Sequence, residues 1–166
     1  MVQGVMSFEG YQVDSINYEK SNSNQNGNYT KLSPEFFIVK AEKENNDEHF
    51  NIIMGVKIDD SDKDNILPFT AEVVVRGFYT FNTEDAVEHN IDDIDDIHIF
   101  KLVNGSAILY PYLRSVLTDI TSKSMHNPII LPTINFNKFI TNRNLEDMLL
   151  DSSHYQDINE KHTYQD

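Results

Sequence analysis

Cysteine is missing from the 166-residue chain, and its absence excludes a disulfide framework, a thiolate metal site and a cysteine nucleophile. No apolar run approaches the ~18 residues that a membrane-spanning helix requires. The start of the chain, "MVQGVMSFEG", lacks the basic and apolar segments of a signal peptide. Together these absences lead us to expect a cytoplasmic protein.

Basic side chains are scarce. The chain has 13 lysines and arginines against 27 aspartates and glutamates, for a formal net charge of −14. Phosphate backbones repel such a chain, which argues against nucleic-acid binding. The charge instead favours solubility and the attraction of basic partners.

Catalytic motifs are absent as well. The six histidines are scattered, with no pair at i, i+4 and no H-E-x-x-H pattern. The chain contains no G-x-S-x-G elbow, no P-loop and no G-x-G-x-x-G fingerprint. We therefore predict that the protein is not an enzyme, and that it has no catalytic residue, no metal ligand and no cofactor.

The first half of the chain has a period of two. Residues 50–58 and 69–81 alternate apolar and polar side chains, which predicts two strands joined by a polar loop. Residues 5–19 and 35–43 predict two further strands, and a change of parity near Gly10 predicts a β-bulge. The expected result is a four-stranded antiparallel sheet.

After the strands the apolar spacing becomes helical. A stripe from Leu109 to Ile120 predicts a first helix, with Asn104 or Ser106 as a cap for an early start. Pro111 fits either the first turn of this helix or a kink within it.

A second helix is predicted further along. The acidic segment 91–97 is typical of a short amphipathic turn only. Beyond the first helix, Pro128 and Pro132 hold an apolar segment extended. Asn135 is a suitable N-cap for a second helix, whose apolar positions continue to Leu149.

Strands followed by helices is the order of an α+β fold. We expect one domain over residues 1–150, in which the first helix covers the apolar face of the sheet. Residues 151–166 are polar and have no apolar period, so they are predicted to form a disordered tail.

Two segments carry a family resemblance. "ILYPYLR" at 108–114 and "NPIILPTINF" at 127–136 resemble the C-terminal half of the SecB family of protein-export chaperones. That family has an apolar-aromatic-Pro-Tyr-x-Arg helix start, then a Pro-bounded apolar loop and an Asn-Phe helix start. Upstream, "PFTAEV", "SPE" and "DSINYE" fit the same template, so the resemblance spans about 13–149.

The resemblance implies an α+β protomer and a homotetramer, built as a dimer of dimers with the long first helices between two sheets. It implies a holdase chaperone that uses neither ATP nor a cofactor, keeps precursor proteins unfolded for export and delivers them to the SecA motor. Some members of the family instead protect the antitoxin of a toxin–antitoxin system. A non-catalytic scaffold subunit, its groove filled by its own tail, is a further hypothesis.

An extended apolar segment beside aromatic side chains predicts a groove for unfolded polypeptide, because aromatic surfaces accept many shapes. Leu32 is included because it stands where the family has an aromatic residue. The two tyrosines of the helix start are also compatible with core positions. The candidate client-binding residues are Leu32, Tyr110, Tyr112, Ile130, Leu131, Phe136, Phe139 and Ile140.

Two other sets of candidates complete the site. The helical stripe supplies an oligomer interface, with candidates Leu113, Val116, Leu117 and Ile120. For SecA, the resemblance implies acids on the exposed sheet face, at Asp14, Glu19 and Glu72. Where the family has its first acid this chain has Ser15, and neighbouring residues of a regular strand face opposite ways.

Overall fold

The computed structural model describes residues 4–20, 33–59, 67–123 and 127–158. Four long strands come first and the helices follow, which confirms the predicted α+β order. In chain order the elements are β1 (Met6–Lys20), β2 (Glu35–Lys43), β3 (Asn46–Ile58), β4 (Phe69–Phe81), α1 (Thr83–Glu88), α2 (Ile94–Ser122), α3 (Phe136–Thr141) and β5 (Leu149–Leu150).

The five strands form one sheet in the order β1-β4-β3-β2-β5. The four long strands pair antiparallel, as predicted. The sequence predicts four strands and does not reveal β5, because β5 has only two residues and shows no period. β5 pairs parallel to β2, with Leu149 beside Lys40 and Leu150 beside Ala41.

β1 contains two bulges, at which its pairing with β4 shifts. The first lies between Phe8 and Gly10, where the change of parity predicted it. Gly10 has a φ of 144°, a conformation that favours glycine. The second lies between Val13 and Ser15 and was not predicted. It leaves Asp14 as the extra residue of the strand.

The hydrophobic core lies between α2 and one face of the sheet, which we call the inner face; the opposite face is the outer face. A Cβ on Gly105 of α2 would lie 2.7 Å from Cγ1 of Ile52, so the helix can pack this closely only because the position is glycine. The fully buried apolar residues of this contact include Phe50, Ile52, Met54, Val73, Val75, Leu102, Leu109, Leu113 and Leu117.

The long helix α2 begins earlier than predicted. Its N-cap is Asp93, whose carboxylate accepts the backbone N–H groups of Asp95 and Asp96. Asn104 and Ser106 lie inside the helix and cap nothing, so that prediction was wrong. The acidic segment is therefore the start of a helix and not the predicted turn, and acids in a first helical turn are stabilised by the helix dipole.

Two details of the helical region go beyond the sequence predictions. Pro111 lies inside α2 and not in its first turn, where it cannot donate the usual helical hydrogen bond. The short helix α1, capped by the Asn82 side chain, was not predicted.

The second predicted helix is shorter than expected. Asn135 caps it, since its Oδ1 accepts the N–H of Lys138 at 3.0 Å. α3 ends at Thr141, however, and does not continue to Leu149. The Asn144 side chain then accepts the N–H of Glu146 at 3.3 Å and starts a separate 3-10 turn. Asparagine favours such local bonds over a continuing helix.

The prediction of a disordered tail from residue 151 does not hold for residues 151–158. Ser152–His154 form a 3-10 turn, and the segment then crosses the outer face of the sheet. There Arg76 donates to the carbonyl of His154 at 2.7 Å. Residues 159–166 lie outside the described residues.

Candidate functional site

Residues 127–135, which we call the crossing segment, are fixed along α2 by hydrogen bonds from three helix side chains. The Tyr110 hydroxyl donates to the carbonyl of Pro132 at 2.5 Å. The Thr118 hydroxyl donates to the carbonyl of Ile129 at 2.8 Å, and the Thr121 hydroxyl accepts the Ile129 N–H at 2.9 Å. The helix therefore positions the extended segment through its main-chain atoms.

Four of the candidate client-binding residues are buried inside the protomer, one in the crossing segment itself and the other three in α2 and α3. Leu131, Phe136, Ile140 and Tyr110 are all buried. The rings of Tyr110 and Phe136 meet edge-on with their centroids 5.2 Å apart. Because they are buried, these four side chains offer a ligand almost no contact in this arrangement.

The other candidates reach the surface to different extents. Ile130, at the middle of the crossing segment, is 73% exposed. Phe139 is half-buried, with the guanidinium of Arg143 3.7 Å from its ring centroid. Tyr112 is also half-buried. Leu32 lies outside the described residues.

The helical stripe of α2 divides into two rows. Leu113 and Leu117 are completely buried against the sheet, so they present no surface to a second copy. Val116 and Ile120 are only half-buried and continue the row of Tyr112 at i+4 spacing. An oligomer interface on this helix would therefore use the second row.

Beside that second row, β1 exposes three large apolar side chains on the inner face. They are Tyr11, Val13 and Ile16, the last 50% exposed. Tyr11 stacks on Tyr112 with ring centroids 4.3 Å apart, which joins the strand to the helix. We call these three residues, together with Tyr112, Val116 and Ile120, the apolar flank. The sequence showed the period of β1 but not that α2 would leave this strand partly uncovered.

The outer face carries the three candidate acids. Glu19 pairs with Thr70 in the strand register, and Glu72 pairs with Lys57. Thr70 and Glu72 alternate with the buried side chains of β4, so they and their cross-strand partners share the outer face. Glu19 is exposed.

Asp14 reaches the same face because of the second bulge. Its Oδ2 lies 3.0 Å from Nε of Arg76, and Arg76 is on the outer side of β4. In a regular strand Asp14 and Ser15 would face opposite sides of the sheet. The bulge interrupts that alternation, so Asp14 can reach the outer face although the family has its acid at the position of Ser15. Asp14 nevertheless differs from the other two acids, because its carboxylate is already paired.

A buried charged cluster lies between β2 and the N-terminal half of α2. Lys40 and Lys101 are 2% and 1% exposed. Both donate to one oxygen of Glu42, at 2.5 Å and 2.9 Å. Lys101 also donates to the carbonyl of Asp47 at 2.8 Å. Two buried ammonium groups therefore share a single carboxylate oxygen.

A cavity of about 530 Å³ opens beside this cluster, between the β2–β3 turn and β5. His98 lines it, and the Nδ1 atom of His98 has no hydrogen-bond partner among the described atoms. Burial and the nearby ammonium of Lys40 hold the pKa of His98 below its ordinary value. Burial would raise the pKa of Glu42, but the hydrogen bonds from Lys40 and Lys101 outweigh it and keep that pKa low.

We expect the stability of the protein to rise between about pH 8 and pH 10. Burial lowers the pKa of Lys40 to about 8 from the ordinary 10.5, against the opposing hydrogen bond to Glu42. In that interval the unfolded chain still binds the proton that the folded chain has lost, so raising the pH favours the folded state. Urea denaturation at several pH values measures this rise.

The matched variant for this measurement is Lys40→Met, which should show a flatter profile. The measurements should end near pH 10, because a second group affects stability above that pH. Burial raises the pKa of Tyr79 in the folded chain above its ordinary 10.0. Above that pH the unfolded tyrosine ionises first, which lowers stability. Identical profiles for the two proteins would contradict the assignment to Lys40.

The described residues show no site for a metal ion: no group of three or more His, Asp and Glu side chains among them is arranged to hold one. Within the same residues, no helix combines the length and the apolar composition needed to cross a bilayer.

Comparison with known proteins gives a family match over most of the chain. A family model described as preprotein translocase subunit SecB matches residues 4–146. The protein-export protein SecB of Jannaschia sp. (strain CCS1) is 25% identical over 137 residues, which cover 79% of this chain and 75% of that relative.

A second relative is the uncharacterized protein MJ0357 of Methanocaldococcus jannaschii, 32% identical over 93 residues. These residues are 55% of each chain, so the match spans little more than half the length of that relative. Among solved structures, a SecB-like chaperone of Mycobacterium tuberculosis, in complex with a ChAD peptide from the HigA1 antitoxin, has a TM-score of 0.61 at 13% identity. It covers 78% of this chain and 90% of its own, and this likeness shows the fold.

Proposed function

Because the chain belongs to the SecB family, we propose that it is an ATP-independent holdase that works in the cytoplasm. It binds unfolded precursor proteins and keeps them competent for translocation. The observation that carries this proposal is the crossing segment, which presents Ile130 to solvent above a floor of buried aromatic and aliphatic side chains. An exposed isoleucine on an extended, Pro-bounded segment can contact the apolar side chains of an unfolded polypeptide.

In the proposed groove, clients contact Ile130 directly together with the accessible part of Phe139. Tyr112 lies outside this groove, because it stacks on Tyr11 in the apolar flank. Leu131, Phe136, Ile140 and Tyr110 form the floor and set the position of the segment, and Leu32 stays a prediction. Each client side chain that becomes buried contributes on the order of 1.5–3 kcal/mol before ordering costs. Several such weak contacts in one assembly then add up to useful avidity.

We propose that the assembly is a homotetramer built as a dimer of dimers, with the apolar flank at its subunit contacts. Val116 and Ile120 supply the helix side of that contact. Leu113 and Leu117 support it from within the protomer. A large, partly exposed apolar strip on one side of a protomer suits a symmetric, self-complementary interface.

The Ile130→Asp variant should bind unfolded polypeptide about tenfold more weakly, since a carboxylate replaces an apolar contact. Binding of reduced, carboxymethylated lactalbumin, followed by fluorescence anisotropy, measures the loss. The matched control is Ile94→Asp, because Ile94 at the start of α2 is 68% exposed and lies far along the helix from the crossing segment. If the Ile130→Asp and Ile94→Asp variants bound the polypeptide equally well, the proposed groove would be contradicted.

Delivery to SecA is the proposed next step. Glu19 and Glu72 share the outer face and supply the negative charge for a basic partner surface, while Asp14 adds to it only if Arg76 releases it. Binding of purified SecA to the wild type, and its loss in a Glu19→Lys and Glu72→Lys double variant that still binds clients, tests this step.

A second candidate function is protection of one antitoxin. Two observations favour it: the structural relative from Mycobacterium tuberculosis holds a peptide from an antitoxin, and Asp14 of the implied SecA contact is engaged by Arg76. In that case Glu19 and Glu72 are not needed for function. The scaffold hypothesis gains no support, because the described part of the tail lies on the outer face and not along the crossing segment.

A further inference from the structure

The outer face of β3 contains a completely buried asparagine, Asn51. Its Oδ1 accepts the backbone N–H of Gln156 at 2.8 Å, and its Nδ2 donates to the carbonyl of Gln156 at 3.2 Å. A side-chain amide thus pairs with both main-chain groups of one residue, as a neighbouring strand would. The segment itself covers Asn51, and these two hydrogen bonds compensate for the water that the amide loses there.

Arg76 completes the arrangement on the neighbouring strand. Its Nη1 donates to the carbonyl of His154 at 2.7 Å and to Oδ1 of Asn51 at 2.9 Å. The bound carbonyls therefore belong to residues 154 and 156, two apart, and Tyr155 between them is extended with φ −73° and ψ 142°. Asn51 and Arg76 therefore contact the main-chain groups of every second residue of an extended segment.

These contacts depend little on the sequence of the bound segment. Asn51 and Arg76 bind N–H and C=O groups that every residue except proline supplies. The side-chain contacts to the segment include Gln12 Nε2 to Gln156 Oε1 at 2.9 Å and Lys43 to Asp157 at 3.2 Å. The second is a partly exposed ion pair, of a kind that contributes little. Recognition by main-chain atoms suits a ligand of variable sequence.

We propose that Asn51 and Arg76 form a binding site for extended polypeptide backbone on the outer face, and that unfolded clients compete there with residues 154–156 of the same chain. The inference rests on the proposed holdase function and adds a second contact site to it. β5 holds the tail beside the sheet only a few residues upstream, so the local concentration of the competing segment is high. Client affinity at this site is reduced by the fraction of time that the tail occupies it.

The test is the Gln156→Pro variant of the full chain. Proline lacks the N–H that Asn51 accepts, and the extended backbone of Tyr155 already suits a residue before proline. We expect faster hydrogen exchange over residues 151–158. We also expect about three- to tenfold tighter binding of reduced, carboxymethylated lactalbumin, since the site becomes free. The control Gln156→Ala keeps the N–H and should change neither readout by more than about twofold.

A second variant separates the site from the release of the tail. Arg76→Met removes the guanidinium that bonds to His154 but keeps an apolar stem. It should free the tail without tightening client binding, because the proposed site is lost as well. Tail exchange unchanged by Gln156→Pro would overturn the inference, and so would a freed tail with unchanged client affinity. Tighter client binding by Arg76→Met as well would show that the tail merely obstructs another surface, which also overturns it.

Failure of the holdase function is distinguishable from failure of this inference. If the wild type binds no unfolded polypeptide, a labelled synthetic peptide of residues 150–158 replaces the client. It should bind the Gln156→Pro protein, and it should not bind the Gln156→Pro, Arg76→Met double variant. Equal binding of the peptide to both proteins, or to neither, counts against the backbone site.

Discussion

Replacing Glu42 by glutamine should lower the free energy of unfolding by about 3–5 kcal/mol, the cost of removing one partner from a buried ionic group. The carboxylate of Glu42 accepts hydrogen bonds from Lys40 and Lys101, which are almost completely buried. Glutamine keeps the shape but leaves two ammonium groups in the protein interior without an anion. Urea denaturation at pH 7 measures the change as a lower midpoint at constant slope.

Two further variants make this result specific to the buried cluster. Glu44→Gln makes the same change two residues away, on an exposed side chain, and should alter stability by less than about 0.5 kcal/mol. Lys40→Met in the Glu42→Gln background should restore part of the loss, because it removes one uncompensated charge. Lys101 keeps the carbonyl of Asp47 as a partner in that protein. A Glu42→Gln protein as stable as the wild type would show that the cluster is solvated in the folded chain.

The same cluster explains why the start of α2 could not be predicted. Lys101 occupies a buried position of the helix, and a lysine there interrupts the apolar stripe from which helices are recognised. Its carboxylate partner is 59 residues away in sequence. A local pattern contains no information on such a partner, so it predicts an acidic turn where the N-terminal part of the helix lies.

The strands were predictable because alternation is a local property. Phe50, Ile52 and Met54 point to the inner face as expected. The period cannot show what covers the other face, however. Alternation places Asn51 on the outer face of β3, and a tail segment 105 residues further along the chain buries it there. The backbone site of the outer face was for that reason invisible in the sequence.

The candidate site was predictable as a region but not residue by residue. The motif placed the crossing segment and the cap at Asn135 correctly. It could not separate Ile130, which is exposed, from Leu131, which is buried, because both are apolar residues of one extended segment. In the same way, helical spacing groups Leu117 with Val116, although the sheet covers one row and leaves the next partly open.

Replacing Ile16 by aspartate should dissociate the proposed tetramer of 19.2 kDa protomers into dimers or single protomers. Ile16 lies in the apolar flank of β1 and is half exposed in the protomer, so the change costs the protomer little. In a symmetric contact the substitution enters from both sides. Two carboxylates without partners in a desolvated contact weaken it by roughly 4 kcal/mol, about a thousandfold in the dissociation constant. Sedimentation equilibrium at micromolar concentration measures the mass.

The matched control for this change is Val87→Asp. Val87 in α1 is another exposed aliphatic residue, and it lies outside the apolar flank, so its variant should keep the mass of the wild type. Because several weak client contacts act together in an assembly, Ile16→Asp should also weaken client binding although Ile130 is untouched. A wild type that sediments as a 19.2 kDa protomer, or an Ile16→Asp protein that keeps the mass of the wild-type tetramer, would rule out the apolar flank as a subunit contact.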